Sequence, residues 1–313
     1  MSTIRGATRA DLEPVARYLA GALHGDGGPA RYRRYLECSW ASGASGASGT
    51  AASSPAPDLG VLIEDAGAIR GFIGTIYADR TVSPDRIALG AVHRFCNITS
   101  AAVDESHRKL TLKLFGAVLA RKDLTFTCFS PSEQITKILD FFKFEHRPGD
   151  RVIVGPLSGV DVRQLAAAGR VRVHTKPDAL DAELDDELRK ISRDHRAYRC
   201  GQLLITHGDR RCFAIAVRRG RGIRAFADVL FASDPDMLID HLPWIHAPLL
   251  RALGTVLTGI DRRWVTRVPR ASFTYTKLRP LYARIARTTA PPITTIDRID
   301  TLYSEFLPMY GVW

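Results

Sequence analysis

Apolar residues return every three or four positions along "ADLEPVARYLAGAL". Leu12, Val15, Leu19 and Leu23 share one face there and predict a helix over residues 10–23. A short strand around Thr3 to Arg5 precedes it, and a second, basic helix follows in "PARYRRYLECSW". The period then drops to two. "LGVLIEDAGAIRGFIGTIYADR" holds two β-rich runs on either side of Asp65, Ala66 and Gly67, the pattern of a hairpin. "RFCNITSAAV" predicts a third strand and "LTFTCF" a compact apolar one, with a helix between them marked by Leu110, Leu114, Phe115 and Val118. In "SPSEQITKILDFFKFE", Ser132 can cap a helix whose Ile135, Ile138, Leu139 and Phe142 stand at i, i+3, i+4 and i+7. "RVIVGPL" predicts a strand closing the first half. The strand–helix–strand run from Cys96 to Phe129 demands a parallel pair joined by a right-handed crossover.

A polar connection over residues 158–180 reads as a linker, and the pattern then restarts. "DAELDDELRKISRDH" predicts a helix, and "GQLLITHGDRRCFAIAVRR" a hairpin turning at His207, Gly208 and Asp209. "IRAFADVLFA" is a strand, "LIDHLPWIHAPLLRALG" a helix and "TVLTGI" a strand. Hairpin, strand, helix, strand thus occurs twice, as a degenerate duplication over residues 1–157 and 181–313. The expected fold class is α/β (α+β), with two domains, each a mixed central sheet flanked by helices. "ASGASGASGTAASSPAP" cannot bury a core and predicts a flexible surface loop over residues 41–58.

Composition fits this division. The 313 residues suit two domains of about 150 each. With 45% hydrophobic and 25% charged residues the chain has the balance of a soluble globular protein. No apolar run has membrane length, and the opening "MSTIRGATRADLEPVARYL" lacks a signal-peptide core, so a cytoplasmic location is expected. Five cysteines with no CxxC pair argue against a disulfide framework and a zinc knuckle. The net charge of +11 points to an anionic partner: a nucleic acid, a membrane surface or a phosphorylated small molecule. Arg is favoured by GC-rich genomes, and Ala and Gly abound here too, so compositional bias is an alternative source of part of this charge.

The stretch "AAVDESHRKLTLKLFGAVL" narrows the choice of anion. It places Arg108, Lys109 and Lys113 at a helix start, where the macrodipole disfavours cations unless an anion is held nearby. This stretch resembles the acyl-CoA motif of the GNAT N-acyltransferases, a strand followed by Arg/Gln-x-x-Gly-x-Gly/Ala at a helix start. "TIRGATRADLEPVARYL" is similar to that family's first strand and helix, and "SPSEQITKILDFFKFE" to its later segment ending in Gly-Phe. The resemblance covers residues 3–157 closely and the second half through its repeated order.

The resemblance implies an N-acyltransferase moving an acyl group from acetyl-CoA, a longer acyl-CoA or an acyl carrier protein to an amine of a small molecule or sugar. It implies that the amides of Lys109, Leu110, Thr111, Leu112 and Lys113 cradle the diphosphate of coenzyme A, with Arg108, Lys109 and Lys113 adding charge. Ala101, Ala102 and Val103 would offer backbone groups to the pantetheine arm. Thr111 and Lys113 stand where the family has small residues, Leu139 where it has a Tyr general acid, and Lys143 where it has Gly. Proton transfer could run through water, Asn97, Ser130 or Ser132, and Asn97 and Ser132 are taken as the catalytic candidates. Peptidoglycan aminoacyl transferases also have two GNAT-like halves, which makes an aminoacyl-tRNA donor an alternative. A catalytically inactive binding protein of this fold is another.

Other polar positions carry less chemistry. Cys128 fits a buried strand residue. Asp194 and His195 form either an acid–base pair or a polar helix end. His241 and His246, five apart on a helix, are poorly spaced for one metal, and no metal is expected. "DRRWVTRVPRASFTYTKLRPLYARIAR" interleaves arginines with Trp264, Phe273, Tyr275 and Tyr282, a pattern open to single-stranded nucleic acid, an acidic acceptor or plain core packing.

Overall fold

The computed structural model describes residues 1–23, 28–38, 40, 59–81, 92–156, 158, 170–220, 222–276, 278–286 and 299–306. The expected loop over 41–58 lies outside them. The predicted order is present: β1 (Thr3–Ala7), α1 (Leu12–Leu23), α2 (Gly28–Leu36), β2 (Gly60–Asp65), β3 (Ala68–Thr81), β4 (Val92–Val103), α3 (Thr111–Val118), β5 (Thr125–Cys128) and α4 (Glu133–Phe141). The β2–β3 turn has Ala66 at φ 49° and Gly67 at φ 76°, the paired positive φ that a two-residue hairpin needs to match strand twist.

Ser132 caps α4 by accepting the Ile135 N–H at 3.4 Å. At the other end Lys143 is left-handed, with φ 61°. Its N–H donates to the Asp140 carbonyl and the Phe144 N–H to the Leu139 carbonyl, each at 3.0 Å. This pattern of crossed bonds closes a helix best on glycine, which explains physically why the resembled family has Gly there. Lys143→Gly is expected to raise stability by about 1 kcal/mol in a urea melt.

The chain divides into two compact units, built from residues 1–147, 281–298 and 303–309, and from 148–280, 299–302 and 310–313. The first sheet has the order β1-β2-β3-β4-β5-β14-β6, where β6 is Glu145–Arg147 and β14 is Leu281–Arg284. The second unit contains β7 (Arg151–Val154), β8 (Val171–His174), β9 (Gly201–His207), β10 (Arg210–Arg219), β11 (Phe226–Ala232), β12 (Leu257–Asp261) and β13 (Phe273–Tyr275). Its sheet, taken from the opposite edge, is β8-β9-β10-β11-β12-β7-β13. The two orders are the same, and in each the sixth place is held by a strand from the other half of the sequence. "RVIVGPL" therefore does not close the first sheet. It forms β7 and pairs antiparallel with β12 and β13. β14 returns to the first sheet between β5 and β6.

Two further local differences have plain causes. The helix expected over "DAELDDELRKISRDH" is two: α5 (Pro177–Glu183) and α6 (Asp186–His195). Asp185 breaks it by turning its carboxylate onto the Leu188 N–H at 2.8 Å as a new N-cap. Pro243 likewise starts α8 (Leu242–Leu253) afresh after α7 (Pro235–Asp240). The 158–180 connection contains β8 and the start of α5, so it is partly regular structure.

Each unit has its own apolar core. In the first, Cys96, Ile98, Leu114, Phe115, Phe126, Leu139 and Tyr282 pack together between the sheet and α3 and α4. In the second, Val152, Ala214, Ala227, Ile245, Leu249 and Ile260 do so. Among the described residues no helix is long and apolar enough to cross a membrane.

Candidate functional site

In the first unit β4 and β5 run parallel for three pairs, Phe95–Thr125, Cys96–Phe126 and Asn97–Thr127, and then part. Three residues further on, β4 bulges: its register with β3 passes from Thr99–Gly74 to Ala102–Phe72, and Ser100 has φ 46°. A bulge bends its strand and raises the local twist. Among the described residues no strand pairs with the β5-facing edge of β4 from Ile98 to Val103. The result is a fork whose stem is Asn97 and Thr127.

Asn97 is buried at the fork, where its Nδ2 donates to Thr127 Oγ1 at 3.2 Å. Its Oδ1 is buried and has no hydrogen-bond partner among the described residues. Ala101, Ala102 and Val103 lie half-buried on the free edge. Beyond them a 3-10 turn, Glu105–Leu110, runs directly into α3. The α-helix therefore starts at Thr111 rather than Arg108. Arg108 and Lys109 occupy the last turn of the 3-10 segment, and Lys113 the first turn of α3. The cations are partly relieved of the wrong-ended dipole that the sequence suggested.

Of the five amides expected to face phosphate, the Thr111 N–H is already donated to the Arg108 carbonyl. No side chain caps α3 at Leu110. Arg108, Lys109 and Lys113 are exposed, and Arg108 lies 3.4 Å from Glu105. Leu110 and Thr111 are half-buried, and Leu112 is exposed.

Ser132 is exposed, and its oxygen is engaged in the α4 cap. Leu139 is fully buried in the core, so no phenol reaches the fork from that position. Cys96 and Cys128 are core residues, and burial pushes the Cys96 thiol up to about 12, which removes it as a nucleophile at neutral pH.

One functional candidate was missed by sequence reasoning. Glu305 is fully buried in the first unit and accepts a hydrogen bond from Ser130 Oγ at 2.5 Å. Ser130 lies two residues beyond the end of β5. A signal existed in the acidic residue set within the apolar run "TLYSEFL".

The second unit has the same three-pair parallel ladder, Phe226–Leu257, Ala227–Thr258 and Asp228–Gly259, which makes Asp228 the positional counterpart of Asn97. Gly259 is required there, since a Cβ would lie 2.6 Å from the Phe226 ring. Ions fill the stem. Buried Arg151 on β7 donates from Nε to Asp228 at 2.7 Å and from Nη1 to Asp261 at 3.2 Å. Arg219 pairs with Asp228 at 2.7 Å, and Arg263 with Asp261 at 2.7 Å. Burial alone would raise the Asp261 carboxyl, but Arg151 and Arg263 hold it below the usual carboxylate range. This is a sealed charge cluster, not a fork.

The remaining candidates resolve as packing. His195 is fully buried, with Nδ1 2.7 Å from the Ile191 carbonyl, while Asp194 pairs with Lys190 at 2.9 Å, so the two do not act as one acid–base pair. His246 on α8 lies beside Thr258, and His241, at the junction of α7 and α8, beside His207, so the two histidines have separate neighbours. Among the described residues no group of three or more His, Cys, Asp or Glu is placed to hold a metal. The Arg-aromatic segment is divided between the sheets: Phe273 and Tyr275 on β13, Tyr282 and Arg284 on β14. Arg284 is spent on the Phe126 and Phe144 rings, at 5.3 and 5.9 Å, and Arg263 on Asp261.

No family model matches the sequence, and no curated protein matches it. Solved structures do match its fold. A GCN5-related N-acetyltransferase from Anabaena variabilis aligns with TM-score 0.54 and 9% identity over 91% of this chain and 72% of that one. A GCN5-related N-acetyltransferase from Kribbella flavida gives 0.51 and 12% over 90% and 70%. An Enterococcus faecalis protein described as a probable N-acyltransferase gives 0.52 and 8% over 91% and 73%. The chain carries the GCN5-related N-acetyltransferase fold in tandem form.

Proposed function

We propose that the first unit transfers an acyl group from a coenzyme A thioester to an amine nitrogen. The observation that carries this reading is the fork: β4 leaves β5 after Asn97 and bulges at Ser100, which bares a strand edge beside a basic helical turn. A pantetheine arm is an extended chain of amides and adds to such an edge as a strand would. The amides among residues 101–103 that face away from β3 then polarise the thioester carbonyl, and the fork holds it against the incoming amine. Arg108, Lys109 and Lys113 hold the diphosphate, with the Leu112 and Lys113 amides of the uncapped α3 start behind them. Asn97 Oδ1 offers a buried acceptor to an N–H of the donor arm or the amine. Ser132, engaged as a helix cap, takes no part.

In a calorimetric titration, acetyl-CoA or a longer acyl-CoA is expected to bind the wild type at one site per chain, because the second stem is sealed. Arg108→Ala combined with Lys113→Ala removes two charge-assisted contacts and should weaken binding by about 100-fold. No binding by the wild type, or equal binding by the double variant, defeats this reading.

A further inference from the structure

In the first unit Tyr303, Ser304, Glu305 and Phe306 are four consecutive buried residues. Tyr303 meets Trp40 edge-on at 5.6 Å between ring centroids, and Phe306 tilts over Phe129 at 6.2 Å. These aromatic contacts fix the backbone on both sides of Glu305. Its carboxylate is fully buried, and Ser130 Oγ donates to it. A buried carboxylate that accepts a hydrogen bond from a half-buried hydroxyl is an arrangement suited to proton transfer. Ser130 lies two residues beyond β5, the strand that forms one wall of the fork, and is half-buried where Glu305 is closed off.

We infer that Ser130 and Glu305 form a proton relay for the acyl transfer, an inference that rests on the donor-binding reading above. Ser130 is the catalytic residue, since its hydroxyl meets the acceptor nitrogen. Glu305 acts through Ser130 and is a positioning residue and proton store. The acceptor arrives as an ammonium ion. It gives one proton to Ser130 Oγ while Ser130 passes its own to Glu305. The freed lone pair attacks the thioester carbonyl carbon and forms the C–N bond. When the tetrahedral adduct collapses, the C–S bond breaks and its electron pair leaves on sulfur. The second nitrogen proton goes to that sulfur, which gives free thiol and neutral amide. Glu305 then returns its proton to solvent. Water can use the same relay as a slow acceptor, which yields free acid and thiol.

The test measures thiol release from acetyl-CoA across pH, with water alone and with glucosamine, spermidine and lysine methyl ester. Donor affinity is measured in parallel by calorimetry. Glu305→Gln keeps the size and an acceptor for Ser130. It is expected to lower thiol release by about 100-fold and to abolish the fall in rate at acid pH, with donor affinity within twofold. Ser130→Ala should match it, and Glu305→Asp should restore part of the rate. If Glu305→Gln keeps the wild-type rate and pH profile, the relay is wrong. If the wild type binds acetyl-CoA but releases no thiol to water or any amine, the relay is wrong while the donor site stands. If it binds no acyl-CoA, the donor reading falls and the relay with it.

Discussion

Arg151→Ala is expected to destabilise the second unit by about 3–5 kcal/mol, the usual loss when one member of a buried ion pair is removed. By the size dependence of unfolding entropy, this lowers the calorimetric midpoint by roughly 10 °C. The guanidinium is fully buried and bridges two carboxylates with different nitrogens, while a third bond goes to the Gly149 carbonyl at 3.1 Å. Its removal leaves Asp228 with Arg219, and Asp261 with Arg263, around a cavity. Arg151→Lys keeps the charge but cannot span both acids, so it should fall between the wild type and Arg151→Ala. A loss under about 1 kcal/mol for Arg151→Ala would show that the cluster does not hold the strands together.

The second large effect concerns the exchanged strands. Residues 1–170 and 171–313, expressed separately, should each fail to give a cooperative melt, and should regain it only when produced together. The first fragment lacks β14, the one strand paired with β6 among the described residues. It also loses Tyr282 from the core and Arg284 from the Phe126 ring. The second lacks β7, which takes from β13 the strand it pairs with among the described residues and takes Arg151 from two buried carboxylates. Circular dichroism melts of each fragment and of the mixture decide the matter. A sharp transition in either fragment alone would show that the exchange is dispensable.

Much of the architecture was legible because local chemistry dictates it. Ala66-Gly67 fixes a hairpin, Ser132 a helix start, and the short apolar run at Thr125 a buried parallel strand. Strand exchange was not legible, because the alternation of "RVIVGPL" is the same whichever sheet receives it. Pairing partners are chosen by long-range packing, which periodicity does not encode. The basic turn at Arg108 was found from its charge, but its 3-10 geometry was not, since sequence fixes helix ends only loosely. Glu305 lies far along the chain from Ser130, so nothing local joined them. Asp228 inside "FADVLFA" was a visible clue that went unused: a charge amid an apolar strand demands a partner, and Arg151 supplies it.

The shared order of the two sheets has an evolutionary consequence. A gene that doubles ordinarily leaves one copy free to decay and be deleted. Here deletion of the later copy would remove Leu281–Arg284 from the sheet of the earlier one, between β5 and β6. The stem of the later half is filled by the charges around Asp228, yet that half cannot be discarded. It persists as a hostage, kept for four residues that it lends.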